Sequence, residues 1–444
     1  VKVLLISPGK DEYYATRLKR AFKIPPLTLS TIAALTKPSV DVSILDEHVE
    51  PIDFDVDADL VGITVMTSVA PRAYKIADEF RRRGAKVVLG GPHPSALPQE
   101  TIEHCDAVVI GEAEGTWEHV IEDFEKGALK KFYSNGSLPS LVGLPMPRRD
   151  LYKKGAYYIT NTLQITRGCP FNCSFCSVSN FFGKSYRHRP IDDVLKEIES
   201  FNGKLFGFLD DNIIGNVSYS KELFDALAPY KIKWVGQSSF NIVRDEKLLK
   251  AAEKSGCSGL FIGFETISDD SLREIGKVQN NIGEFKEGIK RLHDHGILVL
   301  GAFIFGFDSD DKDVFKRTLD FAIESNLDLA QFSILTPLPG TKLHEKLLSE
   351  GRIFDRDWSK YDMGNVVFKP AQMTPEELKK GNGWAWKEFY SYGSIMKRIL
   401  NMNFDLLRRL LYFAPLLTLN FSFKRALDFE IKNSKEKTHK KGRD

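Results

Sequence analysis

No stretch of this 444-residue sequence holds the ~18 to 20 consecutive apolar residues that a bilayer-spanning helix needs, which excludes a helical membrane-embedded fold. Cysteine is scarce. Five in the whole chain are too few for a disulfide framework, so a reducing cytoplasm is the expected setting. An excess of one charge is lacking too: 62 Lys and Arg against 60 Asp and Glu leave +2, which gives no electrostatic case for nucleic acid. The opening run Val1-Lys2-Val3-Leu4-Leu5-Ile6 reads as a strand and lacks the charged start and cleavage region of a signal peptide. What remains, 42% hydrophobic and 27% charged residues, is the make-up of a globular protein long enough for two or three domains.

Three of the five cysteines crowd into Thr166-Arg167-Gly168-Cys169-Pro170-Phe171-Asn172-Cys173-Ser174-Phe175-Cys176. Thiolates spaced C-x3-C-x2-C can hold three corners of a cubane 4Fe-4S cluster and leave its fourth iron open. A zinc site completed by a histidine such as His188 is the alternative, although paired zinc knuckles usually show two C-x2-C halves further apart. Cys105 and Cys257 stand beside apolar strand-like runs and read as small buried residues.

From Val1 to about Lys126, short apolar runs alternate with helical stretches, the rhythm of a doubly wound, Rossmann-like parallel sheet. Its strands are predicted at 1–6, 40–45, 60–65, 86–89 and 107–110. Ligands of such sheets sit beyond the carboxyl ends of the strands, which selects Ser7, Asp46, Thr64, Ser68, Gly90, Gly91, His93, Gly111 and Glu112. Residues 127–160, irregular and rich in Gly and Pro, read as a linker. A second β/α series over 161–345, with strands at 162–165, 204–209, 233–237, 260–264, 299–305 and 329–335, suits a partial TIM-type barrel, and the cysteines fall in the loop after its first strand, at the carboxyl end where barrel chemistry sits.

The cysteine run resembles the signature of the radical S-adenosylmethionine enzymes. The segment ahead of it, with Gly90-Gly91-Pro92-His93-Pro94 and Gly111-Glu112-Ala113-Glu114, resembles the cobalamin-binding domain that precedes the radical domain in many of them. Together the likeness covers about residues 1 to 375. It implies an open iron that chelates S-adenosylmethionine, reductive cleavage to a 5'-deoxyadenosyl radical, and methylation of an unactivated carbon in a small-molecule or lipid-like substrate. An electron donor such as ferredoxin or flavodoxin is implied as well. By the same resemblance Phe175 packs on the adenine; Asp210, Asp211 and Asn212 replace the Gly-Gly-Glu element that receives the methionine ammonium; Glu265 holds the ribose hydroxyls. Gln237 contacts ribose or substrate, Lys277 stands near the methionine carboxylate, and Phe303 lies on the strand flanking the adenine, with Thr336-Pro337-Leu338-Pro339-Gly340-Thr341 as the closing turn. One departure stands out. The Asp-x-His-x-x-Gly motif that gives cobalt a histidine elsewhere is absent, since Asp46-Glu47-His48 copies only its first half and Pro51 replaces the glycine. Cobalamin without a protein histidine on cobalt is therefore expected, with His48 in a surface loop. The same constellation supports ring formation or oxidation without methyl transfer, or a cluster-based sensor. A methylthiotransferase would carry a second cysteine trio upstream, where Cys105 stands alone.

Residues 346–444 read as a mainly helical region. Trp358, Trp384, Trp386, Phe389, Tyr390 and Tyr392 are either walls of a substrate pocket or core. The apolar run Leu406 to Leu417, flanked by arginines and followed by a tail with eight Lys or Arg against four Asp or Glu, either packs on the barrel with a helix interrupted at Pro415 or lies on a membrane surface.

Overall fold

The computed structural model describes residues 1–10 and 23–441, with side chains as far as residue 429, so most of the basic tail lies outside the described side chains. The described residues form two compact units: one runs to Gly215 and includes Thr336–Phe368, the other comprises Asn216–Leu335 and the residues from Lys369 on.

In the first unit, β1 (Lys2–Ser7), β2 (Asp41–Asp46), β3 (Leu60–Thr64), β4 (Lys86–Gly90), β5 (Ala107–Ile110) and β6 (Phe132–Ser134) form a parallel sheet in the order β2-β1-β3-β4-β5-β6. The central strands are apolar at nearly every position because helices cover both faces. Ala73, Ile76, Ala77 and Phe80 of the helix Ala70–Arg82 pack on one face. On the other, Leu29 and Ala33 of Leu27–Leu35 join Trp117, Val120 and Ile121 of Trp117–Glu125. The strand order reverses between β1 and β3, the crevice where such sheets take ligands. Strand β6 arises inside the stretch read as a linker: Phe132 and Tyr133 extend the sheet edge beside β5, a three-residue signal too short to stand out in a Gly- and Pro-rich context.

The second series begins in the same unit. β7 (Thr162–Leu163) leads to β8 (Thr166–Arg167), which pairs antiparallel with β9 (Arg187–His188), and β10 (Leu205–Phe208) runs parallel to β7. In the other unit β11 (Lys233–Ser238), β12 (Cys257–Glu265), β13 (Leu298–Phe305) and β14 (Leu329–Ile334) are parallel neighbours in chain order, as β/α units require. Cys105 and Cys257 are buried, as expected.

The C-terminal helices pack on β14. Helix Pro375–Phe389 starts at a capping box between Thr374 and Glu377, and its Asn382 (3.0 Å) and Trp386 (2.6 Å) side chains both donate to the Phe332 carbonyl. Tyr390 donates to the Ala330 carbonyl at 2.9 Å. Trp386, Phe389 and Tyr390 are thus packing residues, while Trp358 belongs to the first unit and donates to Glu100 at 2.9 Å. Pro415 lies within the continuous helix Leu406–Lys441; both it and Leu411, whose carbonyl it leaves unbonded, are exposed, so water can take that bond.

Candidate active site

Strand β8 delivers the chain into the cysteine loop, and β10 supplies the group that holds it there. Asp210, just past β10, accepts the Ile165 N–H at 3.0 Å and the Thr166 N–H and hydroxyl at 2.5 and 2.6 Å. Burial raises its carboxyl to about 7 despite these donors. Asp211 is also raised by burial, to about 6, and its Oδ2 is buried without a hydrogen bond. Tyr186 donates to the Asn212 carbonyl at 3.0 Å and fixes the turn after the two acids. Cys169, Cys173, Phe175 and Cys176 are half-buried, and the Cys176 N–H closes a turn on the Cys173 carbonyl at 3.2 Å. From the far side of the loop, Leu343 donates to the Ser174 carbonyl at 3.0 Å, and Asn180 donates to the Gly340 carbonyl, so the turn at 336–341 braces the cysteines. Among the described residues no three His, Cys, Asp or Glu side chains converge on one ion. A cubane asks for no such convergence, because each thiolate binds a different iron.

A cavity of about 260 Å³ opens beside this loop within the same unit. Leu5, Ile63, Val88, Val109 and Trp117 make its apolar end, and Gly62 on β3 makes room for it, since a Cβ there would come within 2.9 Å of Leu5 and 3.2 Å of Trp117. The other end is ionic. Arg167 donates to Glu112 and to Glu114 at 2.5 Å each and to Gln164 at 3.0 Å. Arg187 takes the second Glu112 oxygen and donates to the Pro139 carbonyl at 2.7 Å. Burial would lower the Arg167 pKa, but the Glu114 and Glu112 carboxylates outweigh it and raise it; the same pairing holds Glu114 below the usual carboxylate range against burial. Deeper, Glu197 is wholly buried between Arg149 and Arg189.

Of the residues expected at the strand ends, Thr64, Gly90, Gly91, Gly111 and Glu112 line this cavity. Ser7, Ser68 and His93 do not. His93 is fully buried with its Nε2 3.0 Å from the Tyr74 hydroxyl, because the short helix begun by Pro92 turns the imidazole toward Ala70–Arg82. His48 is exposed and bonded to Asp46 at 2.8 Å.

The other unit holds the remaining residues. Glu265 ends β12 at a register shift with φ +65°, a backbone state costly for a non-glycine residue and most often found at working sites. Its carboxylate is ion-paired with Lys277, which is buried. Asn280 braces the bulge by donating to the Gly263 and Phe264 carbonyls at 3.2 and 3.1 Å. Gln237 is exposed at the end of β11. Phe303 departs from expectation: fully buried, its ring stacks between Phe264 at 5.6 Å and Phe332 at 5.8 Å. Side chains alternate along a strand, so Ala302 and Ile304 share the opposite face of β13.

The Radical SAM superfamily pattern matches residues 163–322, and the B12 binding domain pattern matches residues 15–121. The chain is 35% identical to the bacteriochlorophyllide d C-12(1)-methyltransferase of Chlorobaculum tepidum over 84% of each chain. It belongs to the cobalamin-dependent radical S-adenosylmethionine methyltransferases. To the bacteriochlorophyllide d C-8(2)-methyltransferase of the same organism the enzyme is 31% identical, covering 84% of this chain and 87% of the relative. Its fold is that of the radical S-adenosylmethionine methyltransferase TsrM from Kitasatospora setae, solved with cobalamin and a 4Fe-4S cluster bound, at a TM-score of 0.66 and 16% identity over 91% of both chains. Its cofactors are accordingly a 4Fe-4S cluster, S-adenosylmethionine and cobalamin. Sequence reasoning gave no role to Arg167, Arg187, Arg189 and Glu197. Their partners lie 8 to 75 residues away, and only the Arg-Gly-Cys order next to the cluster loop hinted at one of them.

Proposed function

We propose that this enzyme methylates an unactivated carbon on the periphery of a tetrapyrrole-like substrate. The observation that carries the substrate class is the identity of 35% and 31%, at 84% coverage of the chain, to two bacteriochlorophyllide methyltransferases. When bound, the cluster and S-adenosylmethionine supply a carbon-centred radical and cobalamin supplies the methyl group. The chain's own work is to hold and orient. Cys169, Cys173 and Cys176 hold the cluster, Phe175 packs on the adenine, and Asp210 anchors the loop through Oδ1 alone, so the Oδ2 atoms of Asp210 and Asp211, both buried without a hydrogen bond, are the acceptors for the methionine ammonium. Glu265 would hold the ribose hydroxyls of S-adenosylmethionine, with Lys277 ion-paired beside it. The cavity bounded by Gly62 and Trp117 has an apolar end, so Leu5, Val88, Val109, Gly90, Gly91 and Gly111 would hold the lower base of cobalamin.

Incubated without oxygen with bacteriochlorophyllide d, a one-electron donor and methyl-deuterated S-adenosylmethionine, the enzyme is expected to give a product carrying the labelled methyl group. S-adenosylhomocysteine and 5'-deoxyadenosine should appear in comparable amounts. A product that has lost hydrogen without gaining the label would replace methylation by ring closure or oxidation.

No helix among the described residues is long and apolar enough to cross a membrane. We infer instead that the helix Leu406–Lys441 rests on an anionic membrane surface. Tyr412 and Leu416 face inward toward Phe404 and Ile399, and Asn420 donates to the Asp328 carbonyl at 3.2 Å, whereas Leu406, Leu407, Leu410 and Leu411 are 62–75% exposed along the other side. Four leucines on one face, followed along the helix by a net-basic sequence, suit a lipid interface. Vesicles containing phosphatidylglycerol are expected to sediment the full chain and to lose it on Leu406→Ser, Leu410→Ser and Leu411→Ser together; equal recovery of the triple variant would remove the membrane.

A further inference from the structure

The side chains that line the ionic end of the cavity are the same ones that hold the start of the cluster loop. Glu112 and Glu114 follow β5 of the cobalamin-binding sheet, and the guanidinium between them belongs to Arg167, two residues ahead of Cys169. Little slack separates the two. Gly168 has φ +87° and is pressed against the Ser185 backbone, where a Cβ would stand 2.4 Å from the carbonyl oxygen, and Arg167 itself is fixed in the β8–β9 pair. All three ionic residues are largely buried, with side-chain exposures of 11% for Arg167, 1% for Glu112 and 10% for Glu114. A displacement of Arg167 would therefore leave the buried Glu114 carboxylate without its cation and Glu112 with Arg187 alone, so movement of the loop is resisted by the cavity wall.

We propose that Arg167 is a positioning residue that couples the two cofactor sites: an ordered cluster loop fixes the cavity wall for cobalamin, and cobalamin in the cavity orders the loop for the cluster. The coupling rests on the cavity taking cobalamin. Linkage makes it reciprocal, so it can be read from either side.

Equilibrium dialysis of hydroxocobalamin against the full chain, with the 4Fe-4S cluster reconstituted and with iron removed, measures it directly. Affinity is expected to be at least about fivefold higher with the cluster present, the lower end of ordinary coupling between sites. In Glu114→Gln, and in Arg167→Lys, both affinities shift but their ratio falls below about twofold. A merely structural role would lower both affinities equally and keep the ratio. In the iron-free native chain, amide exchange over residues 168–176 should slow when hydroxocobalamin is added, a result that needs no variant to fold. Equal affinities with and without the cluster, or exchange unchanged by cobalamin, would overturn the coupling alone. Absence of any cobalamin uptake would overturn it together with the cavity assignment on which it rests.

Discussion

Replacing Cys176 with alanine is expected to end 5'-deoxyadenosine formation while leaving the chain folded and still able to take up cobalamin. Each of the three thiolates binds its own iron, so two cannot stand in for three. Without metal the fold does not depend on an ionised sulfur here: burial pushes the Cys176 thiol up to about 12, so in the iron-free chain it is a neutral, half-buried group. Its removal then deletes one sulfur from a loop held elsewhere, by Asp210 on one side and by the Leu343 N–H on the other. Iron and sulfide per chain, the broad visible absorbance of the reconstituted protein, and chromatographic detection of 5'-deoxyadenosine would all be read on the same sample. Full iron with continuing cleavage in the variant would show that the cluster is ligated elsewhere.

The second large effect is on stability. Glu197→Ala is expected to cost about 3–5 kcal/mol, because it removes the carboxylate that neutralises two buried guanidinium groups. Glu197 has no exposed surface and is clamped by Arg149 and by Arg189, the latter at 2.5 Å; the Arg149 guanidinium also lies 4.6 Å over the Phe201 ring and donates to the Thr162 carbonyl at 2.5 Å. The pair thus ties the approach to β7 to the helix Ile191–Glu199 that follows the cysteine loop. Thermal unfolding followed by circular dichroism should show a midpoint lower by about 3–5 °C. Glu197→Gln keeps the shape and the hydrogen-bond acceptor, so its midpoint should fall less. A midpoint for Glu197→Ala within a degree of the native one would mean that water reaches the arginines and that the triad carries little.

The architecture was largely legible because its signals are local. Runs such as Val3-Leu4-Leu5-Ile6 and Val87-Val88-Leu89, short and bounded by turn residues, read as strands covered on both faces, and each predicted strand is found within about three residues of its expected ends, while the two- and three-residue strands β6, β8 and β9 had no such signal. The cysteine loop was legible because three cysteines in eight residues have few other uses. Side-chain direction was less so. Phe303 lies on the right strand, but a strand's two faces differ by one residue, and without neighbours the sequence does not say which face meets the helices. His93 lies in the right turn and points into the core. Beyond the Arg-Gly-Cys order, the arginine clamps had little local signature, since a buried ion pair between residues 53 or 55 apart becomes visible only when the chain has folded.

The way β14 ends its sheet has a practical consequence for anyone shortening this protein. It is an edge strand, and two hydrogen bonds to one of its carbonyls come from the Asn382 and Trp386 side chains, not from a further strand. Helix Pro375–Phe389 acts as a plug on an otherwise sticky border, the kind of open ladder through which chains assemble into insoluble material. A radical domain cut off at Ile334 would carry every strand of its sheet and still precipitate, whereas one ending at Tyr390 would keep its border closed.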